Sequence, residues 1–205
     1  MKVVGFCGYS GSGKTTLVEQ LTQRLARAGH RVSVIKHAHH DFDIDHEGKD
    51  SWRHRKAGAF EVVIASNRRL AMLREYATEA EPTLHDLIAE LTDCDWVLIE
   101  GFKHAAVPKI EVWRAANAKP ALYPLDACVV AVCTDVPEQL PVPTALPVLA
   151  LGDADAVVAF LLSTSKRYDY IAPDLAQCGP DPTADADVGR SARPAPGRRC
   201  AAALG

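Results

Sequence analysis

Gly8-Tyr9-Ser10-Gly11-Ser12-Gly13-Lys14-Thr15 is the stretch whose residue types and spacing most directly imply chemistry. It matches G-x-x-x-x-G-K-[ST], in which small residues let successive backbone N–H groups point inward at one anion. Gly8, Ser10, Gly11, Ser12 and Gly13 form the cradle, Lys14 reaches the outer phosphates of a nucleoside triphosphate, and the Thr15 hydroxyl is a ligand for Mg²⁺. An ordinary glycine-rich turn is the competing reading. It is weakened by the apolar run before the motif and the amphipathic stretch after it.

A metal-bound triphosphate also needs a carboxylate at the C-terminal end of a neighbouring parallel strand. Asp95-Trp96-Val97-Leu98-Ile99-Glu100-Gly101 offers two, one at each end. At ~3.3 Å per residue they stand about 16 Å apart, so only Glu100 falls on the phosphate side and Asp95 is a strand-start residue. A second group of candidates follows Lys36, where His37, His39 and His40 run into Asp41, Asp43 and Asp45. One of the three acids could serve Mg²⁺ or position water or a substrate hydroxyl, with Asp43 and Asp45 the favoured bases. The histidines could bind a transition metal or be ordinary solvated side chains. Lys49, Arg53, His54, Arg55, Lys56, Lys103, His104, Lys109 and Arg114 could hold a second phosphate-bearing molecule or form a solvated basic surface. Asp135, after an apolar run, could accept both hydrogen bonds from the Watson–Crick edge of guanine, although the lysine of the usual Asn-Lys-x-Asp signature is missing. A plain strand-to-turn aspartate is the alternative.

The elements that would position these groups are legible in the hydrophobic pattern. Residues 2–7 read as a buried strand. Leu17, Val18, Leu21, Leu25 and Ala28 recur at helical spacing before Gly29, and residues 31–37 supply a second strand, which makes a βαβ unit. A helix resumes near Ser51. Two strands around Asn67-Arg68-Arg69 form a hairpin that could add an antiparallel strand to the sheet. Thr83 and Asp86 cap a helix from Leu84 to Leu91. Strands follow at 95–101, at the alternating 109–114, at the continuous apolar run 127–135 and at 147–153, and a last helix covers 154–164. The expected fold is α/β with three layers: a P-loop NTPase fold with a mostly parallel sheet, an antiparallel hairpin and helices on both faces.

With 205 residues, 48% apolar residues and a net charge of −3, the chain reads as one globular domain without the basic footprint of a nucleic-acid binder. The domain is expected over 1–165. Residues 166–205, rich in Pro, Ala, Gly and Arg, are expected to be a disordered tail. No apolar run approaches the ~18 residues of a membrane span. The start reads as a strand instead of a signal peptide, and the six cysteines lack CxxC spacing, so a cytoplasmic location is expected. Cys128 and Cys133 read as core thiols, not a metal pair.

GYSGSGKTTL, KHAHHDFDIDHEGKDSWRHRKAGA and DWVLIEGFK followed by PKIEVWR together resemble the molybdopterin-guanine dinucleotide biosynthesis protein B (MobB) family over about residues 1–160. The resemblance implies a GTP-binding protein with weak GTPase activity that assists the guanylyltransferase MobA in attaching GMP to molybdopterin. It implies that Gly11, Ser12, Gly13, Lys14, Thr15 and Thr16 bind phosphate, that Glu100 is the magnesium-side acid, and that the protein is a homodimer. Two other functions compete: a small-molecule kinase with Asp43 or Asp45 as base, and a metallochaperone GTPase using the histidine run.

Overall fold

The chain folds through β1 (Lys2–Cys7), α1 (Lys14–Arg27), β2 (Val32–Lys36), α2 (Asp50–Lys56), β3 (Glu61–Ala65) and β4 (Leu70–Arg74). It continues through α3 (Leu84–Ala89), β5 (Trp96–Glu100), β6 (Lys109–Trp113), β7 (Val129–Thr134), β8 (Val148–Ala150) and α4 (Ala154–Ser163). This computed structural model describes residues 1–38, 42–76, 78 and 82–172.

Six strands pair in the order β2-β5-β1-β6-β7-β8, and every pairing is parallel. One sheet rim therefore collects all the strand C-termini: Lys36, Glu100, Cys7, Trp113, Thr134 and Ala150. Because successive side chains alternate faces, Val4 and Phe6 of β1 join Ile110 and Val112 of β6 under α1 and α4. The helices answer with Leu17, Val18, Leu21 and Leu25 from α1 and Val157, Val158 and Leu161 from α4. Val3, Val97 and Ile99 face the other way, against Leu84 and Ile88 of α3. That helix begins with the capping box expected from its sequence, Thr83 accepting from Asp86 N and Asp86 accepting from Thr83 N. The result is the three-layer α/β arrangement of a P-loop NTPase.

Two expectations are corrected. The hairpin β3-β4 forms its own two-stranded sheet and does not extend the main one. Only Val62 of β3 is buried, and the pair hydrogen-bonds to no strand of the main sheet. Strand β6 alternates in sequence yet is buried at all five positions, because its polar residues find internal partners. Lys109 bonds the Lys103 and Ala105 carbonyls at 2.7 and 2.9 Å and pairs with Asp126 at 2.6 Å. Glu111 accepts from the Leu122 and Tyr123 N–H groups at 2.8 and 2.7 Å, and burial still raises its pKa. Lys109 is thus a core residue and not one of the surface cations of a second anion site.

The compact unit runs Met1–Ile171, six residues past the boundary that composition marked at 165. Tyr168 is 1% exposed, its ring 5.7 Å from that of Trp96, and Asp169 pairs with Lys2 at 2.5 Å. A short segment that contributes one large core side chain is invisible to a compositional window. The second unit, Ala172–Gly205, lies almost wholly outside the described residues.

Candidate functional site

The segment between β1 and α1 is shaped by close approach to its neighbours. Gly8 has φ +132°, and a Cβ there would lie 2.3 Å from the Val112 carbonyl oxygen, so a side chain is excluded by both backbone and space. The turn lets Lys14 Nζ span the loop to the Tyr9 carbonyl at 2.8 Å. Desolvation lowers the Lys14 pKa, against the attraction of Glu100. Ser12 is 1% exposed, and its Oγ has no hydrogen-bond partner among the described residues. A buried donor at the centre of an N–H-lined loop fits a phosphate oxygen. Thr15 and Thr16 open the first turn of α1 with exposed side chains, where the helix dipole adds about half a positive charge.

Glu100 ends β5 in register with Phe6 of β1 and Lys36 of β2. The register brings its carboxylate to Thr15, whose Oγ1 donates to Oε1 at 2.5 Å, while Lys36 Nζ stands 3.7 Å from Oε2. A hydroxyl and a nearly buried carboxylate side by side form the all-oxygen donor set that suits Mg²⁺. The turn beyond is equally constrained: His37 N donates to the Glu100 carbonyl at 2.9 Å, and a Cβ on Gly101 (φ +103°) would come within 2.7 Å of His37 Cβ. Strand ends β2 and β5 are locked together.

Asp43 and Asp45 have a different neighbourhood. Arg55 of α2 grips Asp43 with two hydrogen bonds of 2.9 and 3.0 Å, lies 3.6 Å from Asp45 and reaches Glu75 at 2.9 Å. The Arg55 bonds, aided by the Asp45 N–H, pull the Asp43 pKa down to about 2. Asp45 also accepts from Ser51 Oγ at 2.8 Å. These acids fasten the loop to α2, and no hydrogen bond or ion pair among the described residues joins either to Lys14, Thr15 or Glu100. Asp41, His39 and His40 lie outside the described residues, among which no group of three or more His, Cys, Asp or Glu could hold a metal ion. Asp95 is a strand-start residue that accepts from Arg31 N at 2.7 Å.

Past the ends of β6 and β7, Arg114 and Asp135 meet. Arg114 Nε lies 3.3 Å from Asp135 Oδ2, an ion-pair distance without hydrogen-bond alignment. Asn117, in a 3-10 turn over Ala115–Asn117, donates from Nδ2 to the Ser10 carbonyl at 3.4 Å. Sequence reasoning missed Lys36 as a partner of Glu100 and Asn117 as a wall of the loop. Strand register could have found the first, since parallel pairing places Lys36 beside Glu100. No motif marks the second.

Comparison with known proteins agrees with this geometry. The family model described as molybdopterin guanine dinucleotide synthesis protein B matches residues 3–135. The molybdopterin-guanine dinucleotide biosynthesis adapter protein of Haemophilus influenzae is 44% identical over 141 residues, covering 67% of this chain and 77% of that protein. The Escherichia coli adapter protein is 38% identical over 168 residues, covering 80% and 94%. The crystal structure of a MobB homolog from Bacillus stearothermophilus is 26% identical and covers 81% of this chain and 99% of its own, with a TM-score of 0.61. Phosphate loop, strand-end acid, sheet order and sequence likeness thus converge, and the chain belongs to the MobB family of molybdopterin-guanine dinucleotide biosynthesis adapter proteins.

Proposed function

We propose that this adapter binds GTP with Mg²⁺ in the loop Gly8–Thr15, hydrolyses it weakly, and assists the guanylyltransferase MobA in attaching GMP to molybdopterin. The observation that carries the reading is the direct bond between Thr15 Oγ1 and Glu100 Oε1 at 2.5 Å, beside Lys14 and the buried Ser12 hydroxyl. Thr15 and Glu100 would hold the metal, which when bound neutralises phosphate charge. Lys14 supplies a positive charge opposite the outer phosphates, and the N–H groups of Gly11 to Thr16 orient them. Asp135, at the end of β7, is the base-reading candidate.

Hydrolysis is expected to be slow because Asp43 and Asp45, loop acids that could orient water, are held by Arg55. The same observation disfavours the kinase reading. A carboxylate held near a pKa of about 2 by two arginine bonds is a poor proton acceptor. A homodimer is supported by the free-standing hairpin, whose Val63, Ile64, Leu70 and Met72 are exposed. No helix among the described residues is long and apolar enough to cross a membrane, and a cytoplasmic site of action is part of the proposal.

The test is calorimetric binding of GTP and ATP, with and without Mg²⁺, molybdopterin and MobA. GTP should bind more tightly than ATP, and Lys14→Ala should abolish both. Equal affinity for the two nucleotides would remove the guanine assignment, and undiminished binding by Lys14→Ala would remove the loop assignment.

A further inference from the structure

Arg114 lies between two features of the site. On one side its Nη2 is 3.8 Å from where a Cβ of Gly13 would be, the residue immediately before Lys14. On the other its Nε is 3.3 Å from Asp135 Oδ2. The placement follows from strand register: Val112 pairs with Cys133 and Trp113 with Thr134, so the residues just past the two strand ends come side by side. Asn117 closes the same wall, its Oδ1 3.7 Å from the Cβ position of Gly11.

The Arg114–Asp135 pair is weakly made. Both side chains are partly exposed, at 39% and 43%, and Nε lacks hydrogen-bond alignment with any acceptor among the described residues. Such a partly exposed, misaligned pair is readily given up. A phosphate chain seated on the N–H groups around Gly13 would carry several negative charges against the single charge of Asp135. It would also offer the planar guanidinium a two-oxygen acceptor.

We propose that Arg114 is an exchangeable phosphate ligand. It rests on Asp135 in the unliganded protein and transfers to the nucleotide's phosphates on binding, which releases both Asp135 oxygens for the N–H donors of a guanine edge. Phosphate capture would thereby switch on base reading through one shared arginine. The inference rests on the reading of Gly8–Thr15 as a nucleotide site and adds a coupling between its two ends.

A probe without a base isolates the exchange. Binding of inorganic tripolyphosphate would be measured by calorimetry for the unsubstituted protein and for Arg114→Ala, Arg114→Lys, Asp135→Asn and Lys14→Ala, with thermal unfolding of each. Arg114→Ala should weaken tripolyphosphate roughly tenfold, with partial recovery in Arg114→Lys. Asp135→Asn should tighten it roughly two- to fivefold, since it removes the competing carboxylate, while weakening GTP. A gain in Asp135→Asn that vanishes once Arg114→Ala is added runs through the arginine, whereas a gain that persists in that double variant is simple charge removal and overturns the exchange. Unchanged affinity in Arg114→Ala, or no tightening in Asp135→Asn, overturns the exchange while leaving the loop assignment standing. Tripolyphosphate and GTP both failing to bind the unsubstituted protein would overturn the nucleotide site and the exchange together.

Discussion

Glu100 serves two neighbours at once, accepting from Thr15 and facing Lys36. Glu100→Gln keeps an acceptor for Thr15 but removes the charge a hard cation needs. The Mg²⁺-dependent gain in GTP affinity should fall roughly tenfold or more while metal-free binding changes little, as paired calorimetric titrations would show. Lys14 supplies a pH prediction. Burial lowers its pKa, and phosphate binds the protonated form, so the affinity for ATP, whose base does not titrate in this range, should fall as pH rises through a value below the ordinary lysine pKa of about 10.4. In Lys14→Arg, which stays charged, the affinity should be flat across that range. At this scale the glycines, lysine and threonine of the loop were legible because phosphate geometry demands them in fixed order. Glu100 was legible because strand length alone separates it from Asp95. Arg55 was not. Its capture of Asp43 and Asp45 depends on how a short helix docks on a loop, which no spacing rule encodes.

Among the elements, strand β6 bears the most unusual side chains. Lys109 is fully buried, with an ammonium shared between two carbonyls and Asp126. Lys109→Met would leave those acceptors without their donor. Because Asp126 remains partly exposed, the loss should lie at the lower end of the about 3–5 kcal/mol typical of a broken buried pair, read by denaturant unfolding. The loop between β2 and α2 gives the acid counterpart. Asp43 has a folded pKa depressed to about 2, so its pairing stabilises fully above the ordinary carboxylate value of about 3.9 and is lost as pH falls through about 2. Thermal unfolding of Asp43→Asn should therefore show a shallower decline than the parent between about pH 4 and pH 2. KIEVWR alternates in sequence and is nevertheless buried throughout β6, because periodicity reports polarity and not burial. The strands around it were read correctly as elements, since continuous apolar runs leave a parallel sheet little ambiguity.

For the whole molecule, the segment that follows α4 is part of the core. Tyr168 packs on Trp96, and Asp169 pairs with Lys2 at the start of β1. Ending the chain after Ile171 should leave thermal stability near that of the full chain. Ending it after Ser165 should cost about 3–5 kcal/mol, the scale of losing one buried aromatic. The distribution of thiols across this architecture has a practical consequence. Cys7, directly before the phosphate loop, and Cys133, just short of Asp135, are both buried and have pKa values pushed up to about 12, Cys7 by burial with help from Glu111 and Cys133 by burial alone. At neutral pH both are held as unreactive thiols. Alkylating or oxidising reagents should therefore spare both ends of the proposed nucleotide cleft and react first at less buried thiols such as Cys94 and Cys128. A dye can thus be attached to the folded protein at its periphery and binding followed optically with the cleft chemically untouched.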